Sequence, residues 1–269
     1  MTTTRTTTVH TTAGAVEVTT TEEGEGRPFL LLHGGAGPQS VTRFAGLLAA
    51  TEPALVVTPT HPGFGGTPRP EGLASVRALA EVYASLLDAL DLDDVSVIGN
   101  SIGGWIAAEL ALLHSGRVSG LVVVDGAGLR IEEHPSADFF ALEMDQVTNL
   151  SYRNPDAFRI DLAAMPAEQK AVMAANRAAL QTYAGNPMDD PTLLGRLPAI
   201  TTPTLVVWGE ADRIVPVEHG HAYAEAIPGA ELQLIQDAGH LPQLETPELL
   251  ARLVWGFATD HGSPRAGAA

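Results

Sequence analysis

The chain contains no cysteine. Disulfide frameworks, thiolate nucleophiles and cysteine-ligated zinc are therefore excluded, and nothing marks a redox compartment. Positive charge is scarce as well: 15 Lys and Arg stand against 32 Asp and Glu, for a formal net charge of −17, and Lys170 is the sole lysine. Nucleic acids and anionic membranes are bound by clustered Lys and Arg, so neither is expected as a partner, and the acidity serves solubility. Also missing is any apolar run near the ~20 residues that span a bilayer. The N-terminus is threonine-rich rather than charged and then apolar, so no secretory signal is expected and the default location is cytoplasmic. What is present is 269 residues with 45% hydrophobic content and a mean hydropathy of +0.10, the composition of a globular protein. That length holds one large α/β domain with an insertion, or two small domains.

Residues 4–10 and 15–21 alternate Thr and Val around Thr12-Ala13-Gly14 and predict an N-terminal β-hairpin. Six short apolar runs follow, at 29–32, 54–57, 95–98, 121–124, 203–208 and 231–235. Continuous apolar runs of this length predict strands buried on both faces. Between most of them, segments 44–50, 73–90, 217–226 and 247–258 space apolar residues three and four apart, the period of a helix. Strands alternating with helices predict a mostly parallel, doubly wound α/β sheet, with the antiparallel hairpin at one edge. One stretch, 132–197, shows no strand pattern, only helix-like segments at 137–150, 155–164, 166–183 and 191–197. The expected organisation is a core of residues 1–131 and 198–260, a helical insertion at 132–197, and a disordered tail at 261–269.

The chemistry-bearing motif is Gly99-Asn100-Ser101-Ile102-Gly103-Gly104, set between the run 95–98 and the helix-like Trp105–Leu113 stretch. A Gly-x-Ser-x-Gly turn joining strand to helix presents its serine at a helix N-terminus, where backbone N–H groups favour developing negative charge. A serine hydroxyl needs a base. Of nine histidines, His240 is preferred, because it follows the last predicted strand in the same sense as Ser101, where loops at strand carboxyl ends line the crevice of an open sheet; His33 and His61, which also follow strands, are expected to bond loop backbone instead. The base in turn needs a carboxylate to fix its tautomer. Asp212, after the 203–208 strand, is preferred; Asp125, closing the 121–124 strand, competes, and Glu210 ranks lower. Oxyanion donors are expected from Ile102 N–H and from the glycine-rich His33-Gly34-Gly35-Ala36-Gly37 loop, through Gly35 or Ala36.

These motifs, with the Pro62-Gly63-Phe64-Gly65 turn, resemble the α/β-hydrolase superfamily over about residues 27–260. The elbow and insertion look like the branch holding carboxylesterases, enol-lactone hydrolases and carbon–carbon-bond hydrolases of aromatic ring-cleavage products. The resemblance implies that the insertion is a lid over Ser101. It also implies pocket residues among His33, Gly34, Asn100, Phe139, Phe140, Met144 and Leu241. Ring-cleavage hydrolases typically carry Trp after the catalytic histidine and a lid arginine that holds a substrate carboxylate. Here Leu241 follows His240, and Arg153, Arg159 and Arg177 lie in the insertion without a matching motif. The expected function is hydrolysis of a small apolar ester or lactone by Ser101, His240 and Asp212 through an acyl-enzyme, with no metal and no organic cofactor. The alternative is carbon–carbon hydrolysis of a vinylogous diketone, which an insertion arginine at the Ser101 pocket would favour. Acyl transfer and non-catalytic ligand binding rank behind. A small-molecule substrate is the expected partner, on a monomer or homodimer.

Overall fold

A computed structural model describes residues 2–262. The hairpin forms as β1 (Thr2–Thr11) and β2 (Gly14–Gly24), with Gly14 at φ +97°, a left-handed turn position that suits glycine. The six apolar runs become β3 (Arg27–Leu32), β4 (Ala54–Pro59), β5 (Val95–Asn100), β6 (Val118–Val124), β7 (Thr204–Gly209) and β8 (Glu231–Ile235). All eight lie in one sheet, in the order β1-β2-β4-β3-β5-β6-β7-β8. β2 pairs antiparallel with β1 and β4, and every other pairing is parallel. This is the mostly parallel sheet that the run pattern predicts and the α/β-hydrolase fold that the resemblance implies.

The runs are apolar throughout because successive side chains enter different cores. In β3, Phe29 and Leu31 face one side, Leu30 and Leu32 the other; β6 divides Val122 and Val124 from Leu121 and Val123 in the same way. One core is closed by α1 (Gln39–Thr51) and α9 (Pro247–His261), the other by α2 (Val76–Ala89), α3 (Ile102–Leu112) and α7 (Val217–Ala226). The 73–90 pattern yields a helix that starts only at Val76, because Ser75 is extended and its hydroxyl accepts the Ala78 N–H. α3 is apolar on every side, and each residue from Ile102 to Ala111 is buried.

Residues 125–203 add no strand to the sheet. They carry α4 (Met144–Ser151), α5 (Ala167–Ala184) and α6 (Leu193–Arg196), with 3₁₀ turns at Phe139–Ala141, Pro155–Phe158 and Leu197–Ala199. The helix-like pattern of 137–150 therefore resolves into a turn and a helix. Glu143 and Gln146 form a capping box that starts α4 afresh. The 155–164 pattern shrinks to one turn, since Arg159 is extended. The segment is fastened at its base by charge. Arg130 binds Asp189 through two N–H groups at 2.8 and 2.6 Å, and Arg196 binds Glu109 of α3 at 2.7 and 2.6 Å. The Glu109 side chain is only 4% exposed, so this fork is what keeps a buried charge paired. α8 (Pro242–Glu245) precedes α9, which ends at His261, where the sequence predicts a tail; residues 263–269 of that tail lie outside the described residues. Among the described residues no helix is long and apolar enough to cross a membrane.

Candidate active site

Ser101 stands between β5 and α3 with φ 58° and ψ −122°, a backbone position that costs a non-glycine residue about 1–3 kcal/mol. The surroundings over-determine it. Its N–H donates to Val124 O at 3.0 Å, and its carbonyl accepts from Gly104 N at 2.9 Å and Ala127 N at 3.0 Å. Close approach sets the flanking glycines: a Cβ on Gly99 would stand 2.0 Å from Gly103 O, and one on Gly103 would stand 2.3 Å from Leu32 O. Strand and helix can meet at this angle only without those side chains.

His240 follows β8, and its Nδ1 lies 2.7 Å from Asp212 Oδ2. An ionised carboxylate only accepts, so Nδ1 carries the proton and Nε2 is the free base atom. Asp212 is buried, and its other oxygen accepts the N–H groups of Ile214 at 2.8 Å and Val215 at 3.0 Å. The backbone of His240 is tied on two sides: its N–H donates to Ser151 O at 2.7 Å, and its carbonyl accepts from Asn100 Nδ2 at 2.9 Å. Ser101 and His240 line one cavity of about 240 Å³. Among the described residues, neither Ser101 Oγ nor His240 Nε2 has a hydrogen-bond partner, and the two share the cavity wall without a bond between them.

Of the other residues singled out from sequence, Gly34, Gly35, Ala36 and Asn100 line this cavity, as do Phe139, Met144 and Leu241. A Cβ on Gly34 would sit 3.1 Å from Ser101 Cβ, which places the glycine loop directly against the serine. Ile102 is buried and opens α3, so its N–H has no intrahelical acceptor. Among the described residues, Gly35 N–H and Ala36 N–H are unpaired too. These are donors an oxyanion could take. Asn100 works mainly as a tie, since its Oδ1 accepts from Gln243 Nε2 at 3.0 Å while its amide holds His240.

Two expected pocket residues lie elsewhere. Phe140 faces a neighbouring cavity, edge-on to Phe139 with ring centroids 5.6 Å apart. His33 is fully buried and turned inward. Its Nε2 accepts the His61 N–H at 3.1 Å, so its Nδ1–H donates to Gly34 O at 2.8 Å. His61 Nε2–H donates in turn to His33 O at 2.9 Å, and its Nδ1 accepts from the Tyr83 hydroxyl. Burial holds both rings neutral, pushing His61 down to about 4 and His33 well below the usual imidazole range. An unfolded chain would protonate both near pH 6.5. The pair therefore supports the fold fully above that pH and progressively less as pH falls toward 4.

Sequence reasoning missed two contributors and named a third, Arg177, without placing it. The last carbonyls of α4, which a helix leaves unsatisfied, accept from the two catalytic-side loops: Leu150 O takes Arg213 N–H at 3.1 Å and Ser151 O takes His240 N–H. Asn176 on α5 accepts Gly65 N–H at 2.8 Å and donates to Ala36 O at 3.4 Å, linking the insertion to the glycine loop. Arg177, beside it, lines the cavity. Its Nη2 donates to Phe139 O at 2.9 Å and Leu142 O at 3.1 Å, and the guanidinium lies over the Phe139 ring, 4.9 Å from its centroid. A signal existed for the last two: Asn176-Arg177 is a polar pair inside the alanine run 174–179.

Comparison with known proteins agrees with this architecture. Residues 29–253 match the Alpha/beta hydrolase family. The chain is 32% identical to a 2-hydroxymuconate semialdehyde hydrolase of Pseudomonas putida, covering 89% of each chain. It is 29% identical to a 2-hydroxy-6-oxo-6-(2'-aminophenyl)hexa-2,4-dienoic acid hydrolase of Metapseudomonas resinovorans, over 91% of this chain and 88% of that one. A thermophilic esterase from Thermogutta terrifontis superimposes with a TM-score of 0.78 at 26% identity, over 96% of this chain and all of the other. With a serine on its strand-to-helix elbow, a sheet of this order and a match over most of its length, the chain belongs to the alpha/beta hydrolase family.

Proposed function

We propose that the protein hydrolyses a carbon–carbon bond in a carboxylate-bearing vinylogous diketone of the 2-hydroxy-6-oxodienoate type. This replaces the ester hydrolysis that the elbow motif suggests by itself. The observation that carries the reading is Arg177 in the wall of the Ser101 cavity, the one permanent cation among the described lining residues. Two carbonyls fix one end of its guanidinium. Its Nε and Nη1 N–H groups have no partner among the described residues, and a planar fork suits a carboxylate. An ester substrate needs no such group. The two relatives named above, both hydrolases of oxo-dienoate compounds by name, support the same reading.

Cleaving carbon from carbon requires a sink for the bonding electrons. In the keto tautomer of such a substrate, C5 is a methylene between the C6 carbonyl and a C3–C4 double bond conjugated to the C2 carbonyl. His240 takes the Ser101 proton as Oγ adds to C6, and the N–H groups of Ile102 and of Gly35 or Ala36 hold the oxyanion. Collapse breaks C5–C6, and the electron pair runs through C3–C4 to the C2 oxygen, which receives the proton from His240. The products of this half are acyl-Ser101 and a 2-hydroxydienoate. A water deprotonated by His240 then splits the acyl ester and releases a carboxylic acid. Arg177 beside the C1 carboxylate orients the chain and offsets charge growing on the dienolate. A cavity of about 240 Å³ lies below the ~300 Å³ at which ordinary small-molecule sites begin, which favours hydrogen or a short alkyl group at C6.

The test compares kcat/KM for a 2-hydroxy-6-oxodienoate and for p-nitrophenyl acetate in the wild type, Arg177→Gln and Ser101→Ala. Loss of a hydrogen bond to a charged group, worth about 1.5–3 kcal/mol, lowers dienoate turnover about 10²-fold in Arg177→Gln and ester turnover far less. Ester hydrolysis is the second reading, favoured by Leu241 in place of a tryptophan and by the esterase neighbour. A stoichiometric p-nitrophenol burst with no dienoate turnover would decide for it.

A further inference from the structure

One of the buried ionisable groups that the mechanism leaves unused stands beside the triad. Asp125 closes β6 at φ 46°, has no solvent exposure, and sits behind the acid–base pair. One oxygen each of Asp125 and Asp212 and one ring nitrogen of His240 lie within 4.8 Å of one another. Asp125 Oδ1 accepts Gly209 N–H at 2.9 Å; Oδ2 is buried and has no donor aimed at it.

Two buried carboxylates this close cannot both be ionised without large cost. The surroundings decide which keeps its charge. Asp212 accepts two backbone N–H groups and the imidazole, all of which favour the anion. Asp125 has one N–H and a bare oxygen beside a like charge. As a carboxylic acid, Asp125 gains a donor on the oxygen that lacks a partner, and the acceptor in reach is Asp212. We infer that Asp125 is held as a neutral acid that donates its O–H to Asp212 and, through Asp212, tempers the charge that faces His240. Burial, and after it the Asp212 charge, push the Asp125 carboxyl well above the usual carboxylate range; Glu245 of α8 acts in the same direction. The groups bearing on Asp125 are thus Asp212 after β7, His240 after β8 and Glu245, and none of them is a cation tied to Asp125 itself.

The consequence has a sign. A neutral donor on Asp212 spreads its negative charge and weakens its pull on an imidazolium. Asp125 is a positioning residue here, acting through Asp212 and touching no substrate. The inference rests on the triad reading of Ser101, His240 and Asp212, but on neither choice of substrate.

Two measurements test it. The first needs no substrate: an infrared difference spectrum between wild type and Asp125→Asn at pH 7. A carbonyl band of a protonated carboxylic acid, present in wild type and absent from the variant, is expected; its absence from wild type overturns the inference. The second is the pH profile of kcat/KM with p-nitrophenyl acetate. Asp125→Asn keeps a neutral N–H donor and should hold the acid limb in place. Asp125→Leu removes the donor and should move that limb up by about one unit, so that activity below the limb falls about tenfold relative to activity above it. A downward move of the limb in Asp125→Asn would show that Asp125 carries charge in the wild type and overturn the inference. Should Asp125→Leu fail to fold, the infrared spectrum and the Asp125→Asn profile still decide. Wild type inactive on every ester and dienoate would instead count against the triad reading and leave the infrared result standing.

Discussion

At the carboxyl end of the sheet, Asp212, Asn100 and His240 are each buried, and each is hydrogen-bonded to more than one neighbour. A few ångströms away, the insertion is built differently. Its Arg159 pairs with Asp156 at 2.8 Å, but the Asp156 side chain is 84% exposed, and Ile160 beside them is 50% exposed although it lines the cavity. The rim fixes groups whose geometry must not vary during bond making, because preorganised donors are effective only where they need not reorganise. The insertion supplies surface to a substrate and is held by fewer buried contacts, the kind of region that opens locally at low free-energy cost. On the proposed reading, chemistry sits on the more buried and selectivity on the more exposed part of one cavity.

The largest effect expected on either side of this contrast is at the rim. Asp212→Asn keeps the shape of the site but removes the acceptor that fixes the His240 tautomer, and kcat should fall about 10⁴-fold, as in other serine triads. Folded protein and ester or dienoate turnover are the readouts. Should Asp212→Asn stay active while Asp125→Asn is dead, the acid role passes to Asp125 and the contrast drawn here loses its centre.

Next comes the one place where the insertion itself depends on a buried charge. Arg196→Ala removes the two short hydrogen bonds to Glu109 and leaves that buried carboxylate only the longer pairing with Arg77 Nε at 3.8 Å, with a cost of about 3 kcal/mol to unfolding free energy. The exposed Arg159→Ala should change it by less than about 0.5 kcal/mol. Urea unfolding of both variants measures the difference; equal values would mean that the two ion pairs are equivalent and the insertion is uniformly fastened.

The contrast also explains what could be read from the sequence. The strands were legible because burial on both faces leaves unbroken runs such as Leu30-Leu31-Leu32 and Val122-Val123-Val124. The elbow was legible because only glycine fits at Gly99 and Gly103. Asp212 and His240 could be placed because their strands put them at one rim. In the insertion the same logic failed. Phe158 and Ile160 lie in the 155–164 stretch read as helix-like, yet they line the cavity on a turn and the segment after it instead of packing as a helix face. The ties of Ser151 and Leu150 to His240 and Arg213 are backbone to backbone and leave no side-chain signature. The inward turn of His33 was hidden for a related reason: its direction is set by the loop conformation and by His61, a residue 28 positions away.

The smallest effect, and the sharpest on the contrast, belongs to Asn176, where the insertion touches the glycine loop. Its side chain accepts from Gly65, donates to Ala36 O, and crowds Gly37, whose added Cβ would stand 2.6 Å from Asn176 Nδ2. Ala36 contributes a candidate oxyanion N–H, and Asn176 holds the carbonyl of the next peptide, Ala36–Gly37, so the placement of that N–H depends in part on a residue of the insertion. Truncation to alanine removes about 1–1.5 kcal/mol of hydrogen bonding. If that loss is felt in the oxyanion hole, kcat for ester and dienoate alike should drop about tenfold with KM nearly constant, because the donor matters only once charge develops. A rise in KM with kcat preserved would place Asn176 in substrate binding instead. The insertion would then meet the chemistry only through the substrate, and rim and insertion would be mechanically separate.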